Sequence, residues 1–90
     1  MYKVLFTEEA RKNIQKLSKP FQSKIQQALD QIAEDPSIGK ALNRELKGRW
    51  SYRVSEYRII YRIEQQQVIV LILAVGHRKD VYKRQARKSH

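Results

Sequence analysis

The stretch "VLILAVGHRKDVYKR", Val70 to Arg84, passes from an apolar run through one glycine into a charged segment around Val81 and Tyr82. The run starts at Val68 and lasts eight residues, to Val75. Eight apolar residues without alternation suit a β-strand buried on both faces, and they fall far short of the ~20 that cross a bilayer. Such a strand needs strands beside it and a covering layer on each face. Gly76 is expected to end it, leaving His77, Arg78, Lys79 and Tyr82 at its exit.

Upstream, "YRVSEYRIIYRI" supplies the neighbours. Trp50, Tyr52 and Val54 alternate with Arg49, Ser51, Arg53 and Ser55; Tyr57, Ile59, Tyr61 and Ile63 alternate with Arg58, Ile60 and Arg62. The period of two predicts strands with one apolar and one basic face. Tight turns at Ser55-Glu56 and Glu64-Gln65-Gln66 predict an antiparallel meander. Tyr2 to Phe6 reads as a first strand, and Thr7 as the cap of a helix carrying Ala10, Ile14 and Leu17 on one face and ending near Ser18. A second helix opens at Pro20 with Phe21, Ile25, Ala28, Leu29 and Ile32 inward and closes at Asp35-Pro36. Residues 36–48 read as a connector with a helical turn at Lys40 to Glu45. The expectation is one α+β domain over residues 1–90: an N-terminal strand and two-helix hairpin packed on a twisted, mainly antiparallel sheet of about four strands. Residues 85–90 read as a tail that frays or closes into a short C-terminal helix.

Charge narrows the function classes. The 90 residues carry 19 basic and 9 acidic side chains, a net charge of +10. Residues 46–90 hold 11 of the basic groups and only Glu56, Glu64 and Asp80 on the acidic side. A basic half of this kind attracts polyanions, nucleic acid first, through counterion release; a solvated basic surface or a seat for an acidic protein is the plainer alternative. Without cysteine there is neither a disulfide framework nor a thiolate metal site, and with two histidines no metal centre is expected. No phosphate-binding glycine motif occurs, so no nucleotide cofactor is expected either. The chain reads as a soluble cytoplasmic protein without a membrane segment.

Arg53 and Arg58 flank one tight turn on the non-apolar faces, and Arg78 follows the next strand. Guanidinium forks grip phosphate oxygens bidentately and stay charged. Paired-carboxylate hydrolysis lacks its acids. What remains is attack of an RNA 2′-hydroxyl on its own 3′-phosphate, where the substrate brings the nucleophile and the protein orients, stabilises charge and moves protons.

The order of elements, with "EYRIIYRI" and "GHRKDVY" as its most specific parts, resembles the RelE branch of the RelE/ParE toxin superfamily over residues 2–84. The resemblance implies a toxin held inactive by a cognate antitoxin in a hetero-oligomer. It implies a ribosome-dependent (70S-type), metal-free endonuclease that cuts mRNA in the A site. By position, Arg58 matches the arginine that stabilises the transition state, Arg78 the proposed general acid, Tyr82 the tyrosine that stacks on or orients a base, and Arg53 a phosphate-binding residue. Well-known members carry a lysine as general base where this chain has Ser55. Histidine is the side chain whose ordinary pKa, about 6.5, lies nearest neutrality, so His77 is the proton-transfer candidate, with packing at a strand end as the alternative. Lys47, Arg49 and Lys79 are candidates for contacts to ribosomal or messenger phosphates. Two rival functions stay open: a ParE-like poison of DNA gyrase, and a nucleic-acid-binding module without activity.

Overall fold

The computed structural model describes residues 1–88; Ser89 and His90, the end of the tail, lie outside the described residues. Five strands form one sheet: β1 (Lys3–Phe6), β2 (Lys40–Ala41), β3 (Trp50–Val54), β4 (Tyr57–Glu64) and β5 (Ile69–His77), in the order β1-β5-β4-β3-β2. Only β1 and β5 run parallel. The helices are α1 (Glu8–Gln15), α2 (Lys19–Glu34) and α3 (Arg78–Lys88). The architecture is the α+β arrangement expected, with one strand more.

Local chemistry sets the helix ends. The Thr7 hydroxyl accepts the Ala10 N–H at 3.1 Å and donates to the Leu73 carbonyl at 2.8 Å, capping α1 while fastening it to β5. α1 stops at Gln15, short of Ser18, because Ser18 serves the next helix, accepting the Phe21 N–H at 3.4 Å. Ala10, Ile25, Leu29 and Ile32 are buried with Ile59, Tyr61, Val70, Ile72 and Val75 of the sheet, so the hairpin covers one sheet face as the apolar periodicity predicts. Each fully buried aliphatic side chain here stabilises the fold by about 1.5–3 kcal/mol relative to exposure.

The second face belongs to α3. Val81, 2% exposed, packs on Ile60 and Ala74. A bulge makes this two-sided packing fit. Ile60 pairs with Ala74 but Tyr61 with Ile72, leaving Leu73 as an extra residue in β5. The side-chain phase therefore slips, and Ile72 and Val75, three apart, both reach the hairpin core while Ala74 meets α3. Gly76 does not end the strand; β5 continues to His77 and α3 starts at once. The glycine is there for closeness, since a Cβ at 76 would lie 3.3 Å from the Val81 Cβ.

Two other expectations change, and the C-terminal helix is one of the two readings of the tail. The connector holds a 3-10 turn at Pro36–Ile38, the edge strand β2, and a second 3-10 turn at Arg44–Leu46 instead of one helical turn from Lys40. β2 forms because β3 would otherwise leave its edge unpaired; Lys40 stands opposite Ser51 and Ala41 opposite Trp50. Val68 sits in the preceding turn at φ 57 and not in the strand, with its N–H bonded to the Gln65 carbonyl at 3.2 Å. The tail through Lys88 is helical, with Gln85 buried.

A candidate anion site on the basic face

β3 and β4 are joined by two residues, Ser55 and Glu56, with Ser55 at φ 58. This short turn fixes the register that places Arg53 directly opposite Arg58. Both project from the α3 side of the sheet, because Tyr52, Val54, Tyr57 and Ile59 occupy the hairpin side. Arg53 and Arg58 line a cavity of about 430 Å³ together with Lys40, Ser51 and Tyr82. Ile38, Gly39 and Tyr52 complete its wall. Three cations and no carboxylate line it.

The guanidinium groups are held by their own hairpin. Arg53 Nε donates to the Ser55 carbonyl and Arg58 Nη1 to the Tyr57 carbonyl, each at 3.2 Å. Among the described residues Glu64 pairs with Arg62 at 3.0 Å and Glu56 stands 3.9 Å from the His77 imidazole, so neither carboxylate neutralises Arg53 or Arg58. The Tyr82 hydroxyl and Ser51 Oγ are 2.9 Å apart, tying α3 to β3 beside the arginines. The cavity can thus take an oxyanion between two forks, with an aromatic ring, half-buried against Ile60 and Ala74, beside it.

Tyr61, buried in the hairpin core, anchors the segment that forms one wall. Its hydroxyl reaches past β3 and donates to the Pro36 carbonyl at 2.6 Å. A Cβ on Gly39 would overlap that hydroxyl and lie 2.9 Å from the Ser51 carbonyl, so the Ile38-Gly39-Lys40 segment closes on the sheet only with glycine there. Burial pushes the Tyr61 hydroxyl up to about 12; a backbone hydrogen bond from Gly39 offsets part of this, while Asp35 and Tyr52 add to it.

The other candidates lie elsewhere. His77 pairs with Tyr57, and their rings meet edge-on at 6.1 Å, on the hairpin face. Its Nδ1 accepts the Lys79 N–H at 3.3 Å, a helix-capping contact. Arg78 begins α3, exposed, with its N–H on the Glu56 carbonyl at 3.0 Å. That places its backbone two residues beyond Gly76, the partner of Arg58, but the residue does not line the cavity. Lys79 is exposed in the first turn of α3. Lys47 and Arg49 line a separate cavity of about 330 Å³ with Arg62 and Glu64. Ser51 and Lys40 were not singled out from the sequence; the alternation of Ser51 with Arg53 marked its face, but only the β2–β3 register brings Lys40 in. Among the described residues no group of three or more histidine, aspartate or glutamate side chains is placed to hold a metal ion, and no helix is long and apolar enough to cross a membrane.

A helix hairpin on one face of a five-stranded sheet with a C-terminal helix on the other is the arrangement of a family of small toxins. Residues 4–82 match the family described as ParE toxin of type II toxin-antitoxin systems, and the chain belongs to that family. It is similar to Toxin RelG of Mycobacterium tuberculosis, 39% identical over 85 residues that span 92% of this chain and 98% of the relative. The toxin-antitoxin complex RelBE2 of the same organism superposes with a TM-score of 0.79 at 38% identity, covering 86% of this chain and 98% of that one. The isolated RelE toxin of Escherichia coli has the same fold, with a TM-score of 0.75 at 23% identity over 98% of both chains. These likenesses place the chain in the RelE branch.

Proposed function

We propose that this toxin is a metal-independent endoribonuclease that cuts mRNA in the ribosomal A site, arresting translation in the cytoplasm until an antitoxin covers it. The observation that carries the reading is the directly opposed pair Arg53 and Arg58 in a cavity without carboxylates. Two fixed guanidinium groups can hold the non-bridging oxygens of one phosphate and stabilise the extra charge as it becomes five-coordinate. The nucleophile is the substrate's 2′-hydroxyl, so no activated water is required. Tyr82 supplies a ring for a nucleobase beside the phosphate, where base stacking contributes about 1–3 kcal/mol. Lys47, Arg49, Arg78 and Lys79 extend the positive surface around it and serve as contacts to messenger or ribosomal phosphates.

The antitoxin assignment is supported by the complex in which the M. tuberculosis relative is found and by the net charge of +10, which favours an acidic partner. The cleft between α1 and α2, about 470 Å³ and lined by Phe6, Ile14, Ile25 and Leu29, offers an amphipathic segment an apolar seat.

The family's ParE name favours one rival, poisoning of DNA gyrase. Induced expression followed by primer extension on a translated message separates the two. Cuts within codons are expected; intact message with blocked replication would instead mean gyrase poisoning. Repeating the cleavage with and without ribosomes tests the dependence on the A site.

A further inference from the structure

A phosphate cradle of two arginines leaves one chemical demand unmet. When the 2′-oxygen bonds to phosphorus, the bond to the 5′-oxygen breaks, and that oxygen leaves readily only if it gains a proton. Guanidinium is a poor proton source because it is not deprotonated in proteins, and Arg78, which the family resemblance puts in that role, does not line the cavity. Among the groups lining the cavity, Lys40 is the one amine. It stands opposite Ser51, so its side chain is on the Ser51 and Arg53 side of the sheet, with Arg53 a diagonal neighbour at about 7–8 Å. The segment that delivers it is fixed from both sides: Tyr61 holds Pro36 and fills the space that the missing Cβ of Gly39 leaves, and β2 pairs with β3. The side chain itself is exposed, with its ammonium free to meet a ligand entering the cavity.

The geometry points to Lys40 as the general acid that protonates the leaving 5′-oxygen in this cavity, an assignment that rests on the nuclease reading. The 2′-hydroxyl oxygen forms the new bond to phosphorus and its proton passes to water. The electron pair of the breaking P–O5′ bond goes to the 5′-oxygen, which takes a proton from the Lys40 ammonium. The products are a 2′,3′-cyclic phosphate and a 5′-hydroxyl, and the neutral amine regains its proton from solvent. Arg53 and Arg58 then hold charge, and Lys40 moves the proton.

A leaving-group test separates this role from simple phosphate binding. The full-length toxin is given ribosomes programmed with an mRNA whose cleavage site carries either the ordinary linkage or a 5′-bridging sulfur, a leaving group that needs no proton. Lys40→Ala and Lys40→Arg are each expected to slow single-turnover cleavage of the ordinary linkage by about 10²–10³-fold and of the sulfur linkage by less than about threefold. Their melting temperatures should match the wild type, because Lys40 is exposed on a two-residue edge strand. Equal slowing of both linkages would reduce Lys40 to a phosphate contact and overturn the inference. So would a wild-type rate for either variant on the ordinary linkage. A wild-type protein that leaves both linkages intact would instead bring down the nuclease reading itself.

Discussion

Arg53 and Arg58 face each other as cross-strand partners, two like charges held opposite one another without a carboxylate beside them among the described residues. Directly opposed like charges in a sheet cost roughly 0.2–1 kcal/mol relative to neutral pairs. The hairpin carries this cost in the free protein, and a bound phosphate relieves it. Arg58→Ala should therefore melt at the wild-type temperature or slightly above while losing about 10²–10³-fold in cleavage. Inorganic phosphate should raise the wild-type melting temperature and leave that of the Arg53→Ala, Arg58→Ala double variant unmoved. Differential scanning calorimetry with and without phosphate reads both; a double variant that still responds would show that the arginines are not the phosphate site.

Tyr61 gives the fold an alkaline limit. Its folded-state pKa, about 12, lies above the ordinary tyrosine value of 10.0, chiefly because the ring is buried. The neutral hydroxyl is thus favoured by folding. Its contribution is complete below pH 10 and is lost as pH rises from 10 through 12, amounting to at most about 3 kcal/mol across that window. Denaturant unfolding of wild type and Tyr61→Phe at several pH values measures it as a difference. The phenylalanine variant should be less stable at neutral pH, by about 1 kcal/mol or more for the stranded Pro36 carbonyl, and the two curves should converge above pH 11. Parallel curves would mean that the hydroxyl does not resist ionisation.

Tyr82 has two separable parts. The hydroxyl is bonded to Ser51 Oγ at 2.9 Å and the ring packs against the Ile60 and Ala74 cluster. Tyr82→Phe keeps the ring and should cost about 1 kcal/mol of stability with a small change in cleavage. Tyr82→Ala removes the stacking surface as well, and cleavage should fall by at least ~10-fold beyond any loss of folded protein, in line with the 1–3 kcal/mol typical of base stacking. Activity normalised to the folded fraction distinguishes them. Equal activity of the two variants would exclude stacking by the ring.

Strict alternation made β3 and β4 legible from the sequence: with one face apolar, a shift of one residue would turn Tyr57, Ile59 and Tyr61 out to solvent. The opposition of Arg53 and Arg58 followed from that register and the two-residue turn. The bulge at Leu73 was hidden because β5 is apolar on both faces, so a slipped phase leaves no mark in hydrophobicity. β2 was hidden for the reverse reason: two exposed residues have no periodicity, and they pair only because β3 presents a free edge. Lys40 reaches the cavity through that long-range pairing alone. The start of α3 at Arg78 was masked by Gly76, whose composition suggests a turn but whose role is close packing on Val81.

His77 shows what neighbourhood in sequence leaves unsettled. It precedes Arg78 and lies one residue past the partner of Arg58, yet its ring meets Tyr57 on the hairpin face and its Nδ1 takes the Lys79 N–H at the start of α3. Capping of this kind is worth about 0.5–2 kcal/mol. His77→Ala should lower the melting temperature, and His77→Asn, which offers another capping oxygen, should recover part of the loss. Cleavage per folded molecule should stay within about twofold of wild type in both variants, and the pH–rate profile should keep the shape it has in the wild type, where removal of a catalytic imidazole would take away an inflection. A tenfold or greater loss in His77→Ala at equal folded fraction, together with a lost inflection, would return the imidazole to the chemistry.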